Sequence, residues 1–180
     1  MKRLHKIQIL VILALLATAG IAAGAVRNFR AQLSGREEVP PAGVVITTTA
    51  RGLAAFQLSP NGDAIHYKLA VGNINNVFMA HIHRGAPGTN GPIVVWLYPG
   101  TAPVPGPVGQ GSVNGVIAEG NFTAADLVNQ GTTGITTLEQ LLTEIENGNA
   151  YVNVHTNDGV APTNTGPGDY PGGEIRGHIH

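Results

Sequence analysis

The sequence predicts an all-β protein, an antiparallel β-sandwich of about eight strands with one short helix in a crossover. Three observations point that way. Short runs of alternating apolar and polar residues recur along the chain, bounded by turn residues. Glycine (25) and proline (12) are abundant in the 180 residues while charged residues are only 12%, a composition of tight turns rather than of helices laced with ion pairs. No strand–helix–strand alternation is visible, so a parallel sheet is not expected.

The elements follow in order. Lys2, Arg3 and Lys6 open the chain, an apolar run covers Ile7 to Ala23, and Ala23-Gly24-Ala25 fits a small-residue cleavage site. Residues 1–25 therefore read as a secretory signal peptide, leaving 26–180 as a single domain. An uncleaved membrane anchor is the alternative, since the run approaches the length that spans a bilayer. In the mature chain Phe29, Ala31 and Leu33 alternate along a first strand that ends at Ser34-Gly35, and Pro40-Pro41 forbids a helix beyond it. A second strand is expected from Thr47 to Leu58, with Ala54, Phe56 and Leu58 on one face. Pro60-Asn61-Gly62-Asp63 supplies a hairpin turn. Ile65, Tyr67, Leu69 and Val71 alternate on the returning strand, and Val77–His83 is the next. The run Ile93–Tyr98 has no polar face, which predicts a central strand covered on both sides.

Pro99–Gly111 is a Pro/Gly-rich surface loop, and residues 112–121 receive no element. Residues 122–149 break the strand pattern. Thr123 can cap a short turn through Asp126 and Leu127. Thr137 caps a helix carrying Leu138, Leu141, Leu142 and Ile145 on one face, which Gly148 closes. Two last strands, Ala150–Thr156 and Gly173–His180, flank a turn-rich loop.

Composition also excludes function classes. The chain has no cysteine, which removes disulfide scaffolds, thiol catalysis, cysteine zinc sites and iron–sulfur clusters. Loss of residues 1–25 removes three cations and no anion, leaving 7 Lys+Arg against 11 Asp+Glu. A mildly acidic chain does not suit nucleic acid as a partner. Membrane contact is expected only through an uncleaved signal segment.

Three blocks carry a resemblance. The order SGREEVPP (34–41), AHIHRGAPGTNGPIVVWL (80–97) and YVNVHT…PGGEIRGHI (151–179) resembles the chordin-type (CHRD) domain family, from about Phe29 to His178. Here His178 stands where the family usually has Gln, and His180 is added. The resemblance implies an extracellular or periplasmic β-sandwich module and carries no established enzymatic activity; the polar residues of the motifs, gathered in loops and strand ends, suit an extracellular protein or matrix component as partner. The H-x-H strand and the Gly-Arg strand at the C-terminus are also faintly similar to Cu/Zn superoxide dismutase. The sandwich is thus expected to be immunoglobulin-like or dismutase-like.

The histidines are the chemistry-bearing residues. His81 and His83 are two apart on a strand, so both rings leave one face, as do His178 and His180. His155 shares a strand face with Tyr151 and Asn153. The candidate metal ligands are His81, His83, His155 and His178, with copper the first choice by the Irving–Williams order and zinc the second. Glu174 or Asp169 is expected to orient a ring, and Met79 to lie beside His81. The competing reading is a polar network of Glu37, Glu38 and Glu174 with Arg84 and Arg176 that shapes loops and holds no metal. Adjacent residues on an extended chain point to opposite sides and cannot jointly straddle a bond as paired catalytic acids do, so one of Glu37 and Glu38 is expected to pair structurally with Arg176 or Arg84, since a buried carboxylate needs a partner. His66 reads as a surface residue.

Gly85–Pro92 leads into a strand, not a helix, so it reads as a rigid hairpin loop and not a phosphate cradle. Asp158 and Asp169 lack calcium-loop spacing. Asn121-Phe122-Thr123 fits a glycosylation sequon. No catalytic residue and no nucleophile elbow stands out. The readings that remain are a non-enzymatic exported binding or structural module, with a His-based metal site, and a copper-dependent redox enzyme of the dismutase type.

Overall fold

The structure is a computed structural model that describes residues 27–100 and 103–180; the expected signal peptide lies outside them. Eight strands form: β1 (Asn28–Ser34), β2 (Arg51–Leu58), β3 (Ile65–Asn75), β4 (Val77–Arg84), β5 (Ile93–Tyr98), β6 (Ser112–Phe122), β7 (Ala150–Thr156) and β8 (Ile175–His178). All pair antiparallel in a single sheet of order β5-β4-β7-β8-β1-β2-β3-β6. The sheet curls until its two end strands approach one another, giving a sandwich that is nearly a barrel. Among the described residues no helix is long and apolar enough to cross a membrane.

Local chemistry explains most elements. At the β2–β3 hairpin the Gly62 N–H donates to the Ser59 carbonyl, and Gly62 takes φ +75°, open to glycine without strain. Between β6 and β7, Thr123 and Asp126 form a reciprocal cap on a short 3₁₀ turn. A one-turn helix, α1 (Gln130–Thr133), follows, and then α2 (Leu138–Glu146). Thr137 and Gln140 cap α2 reciprocally, and it buries Leu138, Leu141, Leu142 and Ile145.

Three expectations are corrected. The second strand begins at Arg51, not Thr47, because the preceding threonines bond outside any ladder: the Thr47 N–H donates to the Tyr170 hydroxyl and the Thr48 hydroxyl to Glu174. Among the described residues β5 is an end strand that pairs only with β4. Its two faces are nevertheless covered, and curling brings donors to its carbonyls: Val128 N–H to Val94, the Asn129 amide to Ile93 and the Tyr67 hydroxyl to Leu97. β6 received no element from the sequence because it is largely solvated and interrupted by Gly115 and Gly120, so alternation is weak. It pairs along β3 with two register shifts.

The sheet buries both of its faces around β4 and β7. Ala80, Ile82, Val152, Val154 and Ile175 join the hydrophobic core inside. On the outer side the register aligns a polar layer in rows. Trp96 of β5 lies opposite His81 of β4, His81 opposite Asn153 of β7, and Asn153 opposite Arg176 of β8. The next row holds His83, Tyr151 and His178, and Met79 lies opposite His155. Loops 85–92 and 157–174 roof this layer.

Candidate metal centre

His81, His83 and His155 meet in the polar layer. Each offers one ring nitrogen, and the three nitrogens lie within 4.8 Å of one another. Two of the rings come from the H-x-H spacing on β4; β7 contributes the third from the neighbouring strand. The side chains are buried, His81 at 0%, His83 at 8% and His155 at 6% exposure.

Backbone carbonyls set the ring states. The His83 Nδ1–H donates to Gly91 O at 2.9 Å and the His155 Nδ1–H to Pro171 O at 3.0 Å. A carbonyl only accepts, so both rings carry their proton on Nδ1 and present a bare Nε2. His155 Nε2 lies 3.2 Å from His81 Nδ1, and in the neutral cluster it accepts that N–H. The same spacing matches two ligands on one ion, since metal–nitrogen bonds of about 2.0–2.1 Å in a tetrahedral arrangement give an edge of about 3.3 Å.

Burial keeps the rings neutral. Desolvation, with weak mutual repulsion added, lowers the His81 pKa far below the ordinary imidazole value; it lowers His155 to about 3. His83 falls to about 4, again chiefly by desolvation, with the bond to Gly91 working against it. Three unprotonated imidazoles at neutral pH are a nitrogen donor set. The Nε2 atoms of His81 and His83 have no hydrogen-bond partner among the described residues. Buried polar atoms are normally satisfied, so two unpartnered ring nitrogens in one cluster point to a guest.

Aromatic rings wall the group. Trp96 meets His81 edge-on with centroids 4.2 Å apart, and Phe78 approaches His155 edge-on at 6.5 Å. Tyr151 stacks on His83 at 4.9 Å and 7°, and the Arg176 guanidinium lies 3.4 Å from the centre of the same tyrosine ring.

His178 is not brought to the cluster. It stands one strand further along the row with Tyr151 between it and His83, its Nδ1–H donating to Gly148 O and its Nε2 accepting from Arg176 at 3.3 Å. His180 is exposed two residues beyond that strand, and His66 is exposed beside Asn121 and Glu119.

The expected carboxylate orienters are also corrected. Glu174 accepts from Thr48, Thr156 and the Gly168 N–H, and Asp169 accepts from Thr165. Neither reaches an imidazole; carbonyls of the two roofing loops do that work instead. The paired-charge network takes a different form too. Arg84 bonds Glu144 on α2 and the Thr133 carbonyl, while Arg176 donates to Asn90, Ala86, Thr89 and His178, none of them a carboxylate. Glu38 accepts from the Asn153 amide at 3.4 Å, and burial raises its pKa to about 8 against the opposing pull of Arg176.

Sequence reasoning missed Gly91 and Pro171 as the carbonyl acceptors that orient the rings, and it missed Trp96, hidden inside an unbroken apolar run. Gly91 has a legible physical reason. A Cβ there would overlap the Arg84 carbonyl, so only glycine lets the loop close over His83.

A family model described as the CHRD domain matches residues 29–179. Comparison with curated proteins and with solved structures finds no match.

Proposed function

From a chain that belongs to the CHRD domain family, we propose an exported, non-enzymatic β-module that binds a transition metal, copper first, through His81, His83 and His155. The convergence of three neutral, buried imidazoles from two adjacent strands carries this reading. Donor chemistry supports a first-row metal of the copper–zinc–nickel group, and the Irving–Williams order favours copper among the divalent ions. The basic, apolar and small-residue segments of residues 1–25 support export, and the loop-rich roof supports contact with an extracellular partner.

A dismutase-type redox enzyme has less to support it. Among the described residues no second group of three histidine or acidic side chains gathers beside the first.

The test is titration of purified protein with copper and with zinc, followed by calorimetry or ring-proton resonances. The expected result is one ion per chain, with binding lost in the His81→Ala/His83→Ala double variant, and a holo-only gain in thermal stability. Metal uptake unchanged in that variant refutes the site. Superoxide dismutation by the copper-loaded protein is expected to be no faster than that of the same copper free in solution.

A further inference from the structure

We infer that the three-histidine cluster selects a monovalent ion, Cu(I), over divalent copper or zinc; the inference rests on the metal-binding reading above. Charge is the first reason. All three donors are neutral imidazoles, so an ion keeps its full charge inside a buried layer. The cost of burying an ion grows with the square of its charge, so a divalent ion is about four times as expensive to place there as a monovalent one unless an anion offsets it.

Among the described residues none of the carboxyl side chains in or beside the layer, Glu174, Glu38 and Asp169, hydrogen-bonds a cluster histidine, and each takes donors from elsewhere, Asp169 from the Thr165 N–H and hydroxyl. Glu174 takes donors from Thr48, Thr156 and Gly168 at 2.6–2.7 Å, and Glu38 takes the Asn153 amide. Arg176, fully buried in the row that begins at His81, adds a cation whose own hydrogen bonds all go to neutral acceptors. Three donors already meet the Glu174 carboxyl group before any ion arrives.

Coordination number is the second reason. Three nitrogens complete a trigonal Cu(I) shell, whereas a three-histidine zinc site needs a water or another ligand in its fourth position and Cu(II) prefers tetragonal sets. Trp96, Phe78 and Tyr151 crowd the rings and supply no further charged donor.

The experiment compares Cu(I), added without oxygen against a chromogenic Cu(I) chelator, with Cu(II) and Zn(II) added against divalent chelators. Expected is one Cu(I) per chain, held at least about a hundredfold more tightly than either divalent ion. Equal or tighter divalent binding overturns the selection while leaving the metal site standing; no binding of any of the three ions overturns the site itself. Asn153→Asp supplies the mechanistic arm, because it puts a carboxylate of nearly the same shape directly across the ladder from His81. It is expected to raise Zn(II) affinity by about tenfold or more and to change Cu(I) affinity much less. A variant that shifts all three ions equally, or none, refutes the charge argument. If this variant does not fold, the wild-type comparison alone decides.

Discussion

An imidazole that has lost its water and gained only a carbonyl partner titrates late, and pH is the simplest probe of the cluster. The folded His83 pKa is about 4 and that of His155 about 3, both below the unfolded value of 6.5. In the metal-free protein these groups therefore contribute stability that is complete above pH 6.5 and drains away as pH falls toward 4, because the unfolded chain takes up protons that the folded one refuses. For His83 alone the shift corresponds to on the order of 3 kcal/mol. Denaturant unfolding at pH 7 and pH 5 is expected to show the loss, and it should shrink in His83→Phe. Metal binding should behave differently from that of an exposed histidine pair. Protons compete for the same lone pairs only near the folded pKa values, so uptake should persist at pH 5 and fail below about pH 4. Glu38 has the opposite sign. Its pKa, raised to about 8 by burial, gives stability that is present below 4.5 and lost as pH rises through 8.

The decisive element is the β4–β5 hairpin with its loop. β4 supplies two rings, β5 supplies Trp96 against the first of them, and the loop returns Gly91 over the second. Gly91 spends both backbone groups there, its carbonyl on His83 and its N–H on the Tyr151 hydroxyl. The neighbouring Asn90 ties the loop to Val39 on one side and Arg176 on the other. Gly91→Ala forces its Cβ into the Arg84 carbonyl, so the loop must lift. We expect it to destabilise the domain by about 2 kcal/mol or more in urea unfolding. It should also weaken metal binding, since His83 loses its orienting acceptor. An alanine variant with unchanged stability and affinity would show that the loop does not hold the ring. By contrast, the α2 cap at Thr137 is local chemistry legible in the residue order, to which the structure adds Gln140 as the reciprocal partner.

For the whole molecule, one continuous curled sheet does two jobs. Its inner face builds the apolar core that must suffice in a chain without cysteine. Its outer face, around β4, β7 and β8, is roofed by loops and turned into a second, polar interior. Five buried polar atoms without partners among the described residues belong to this layer and its edge: Nε2 of His81 and of His83, Asn153 Oδ1, Arg176 Nε and Glu38 Oε1. Such a concentration marks the layer as the place where the fold accepts a cost in stability, which proteins do at functional sites. The proposed export has its own check. N-terminal sequencing of the protein from its host's exterior should begin at Val26; a membrane-retained chain still carrying Lys2 and Arg3 would favour the anchor instead.

Residue order dictates whatever depends on neighbours along the chain. Alternation set the β class and the strand faces; Asn61-Gly62 set the hairpin; Thr123 and Thr137 set the caps; and the spacing of His81 and His83 guaranteed two rings on one side. Which third ring joins them follows from how the strands pair. Ladder pairing brings β7 beside β4 and leaves β8 one strand beyond, so His155 enters the cluster and His178 meets Tyr151 and Arg176. Tertiary structure also makes β5 an end strand, admits a solvated β6, and places the histidine face under loops rather than in water. Pairing order, curl and roofing are long-range consequences of how the whole sheet closes, and no stretch of residues contains them.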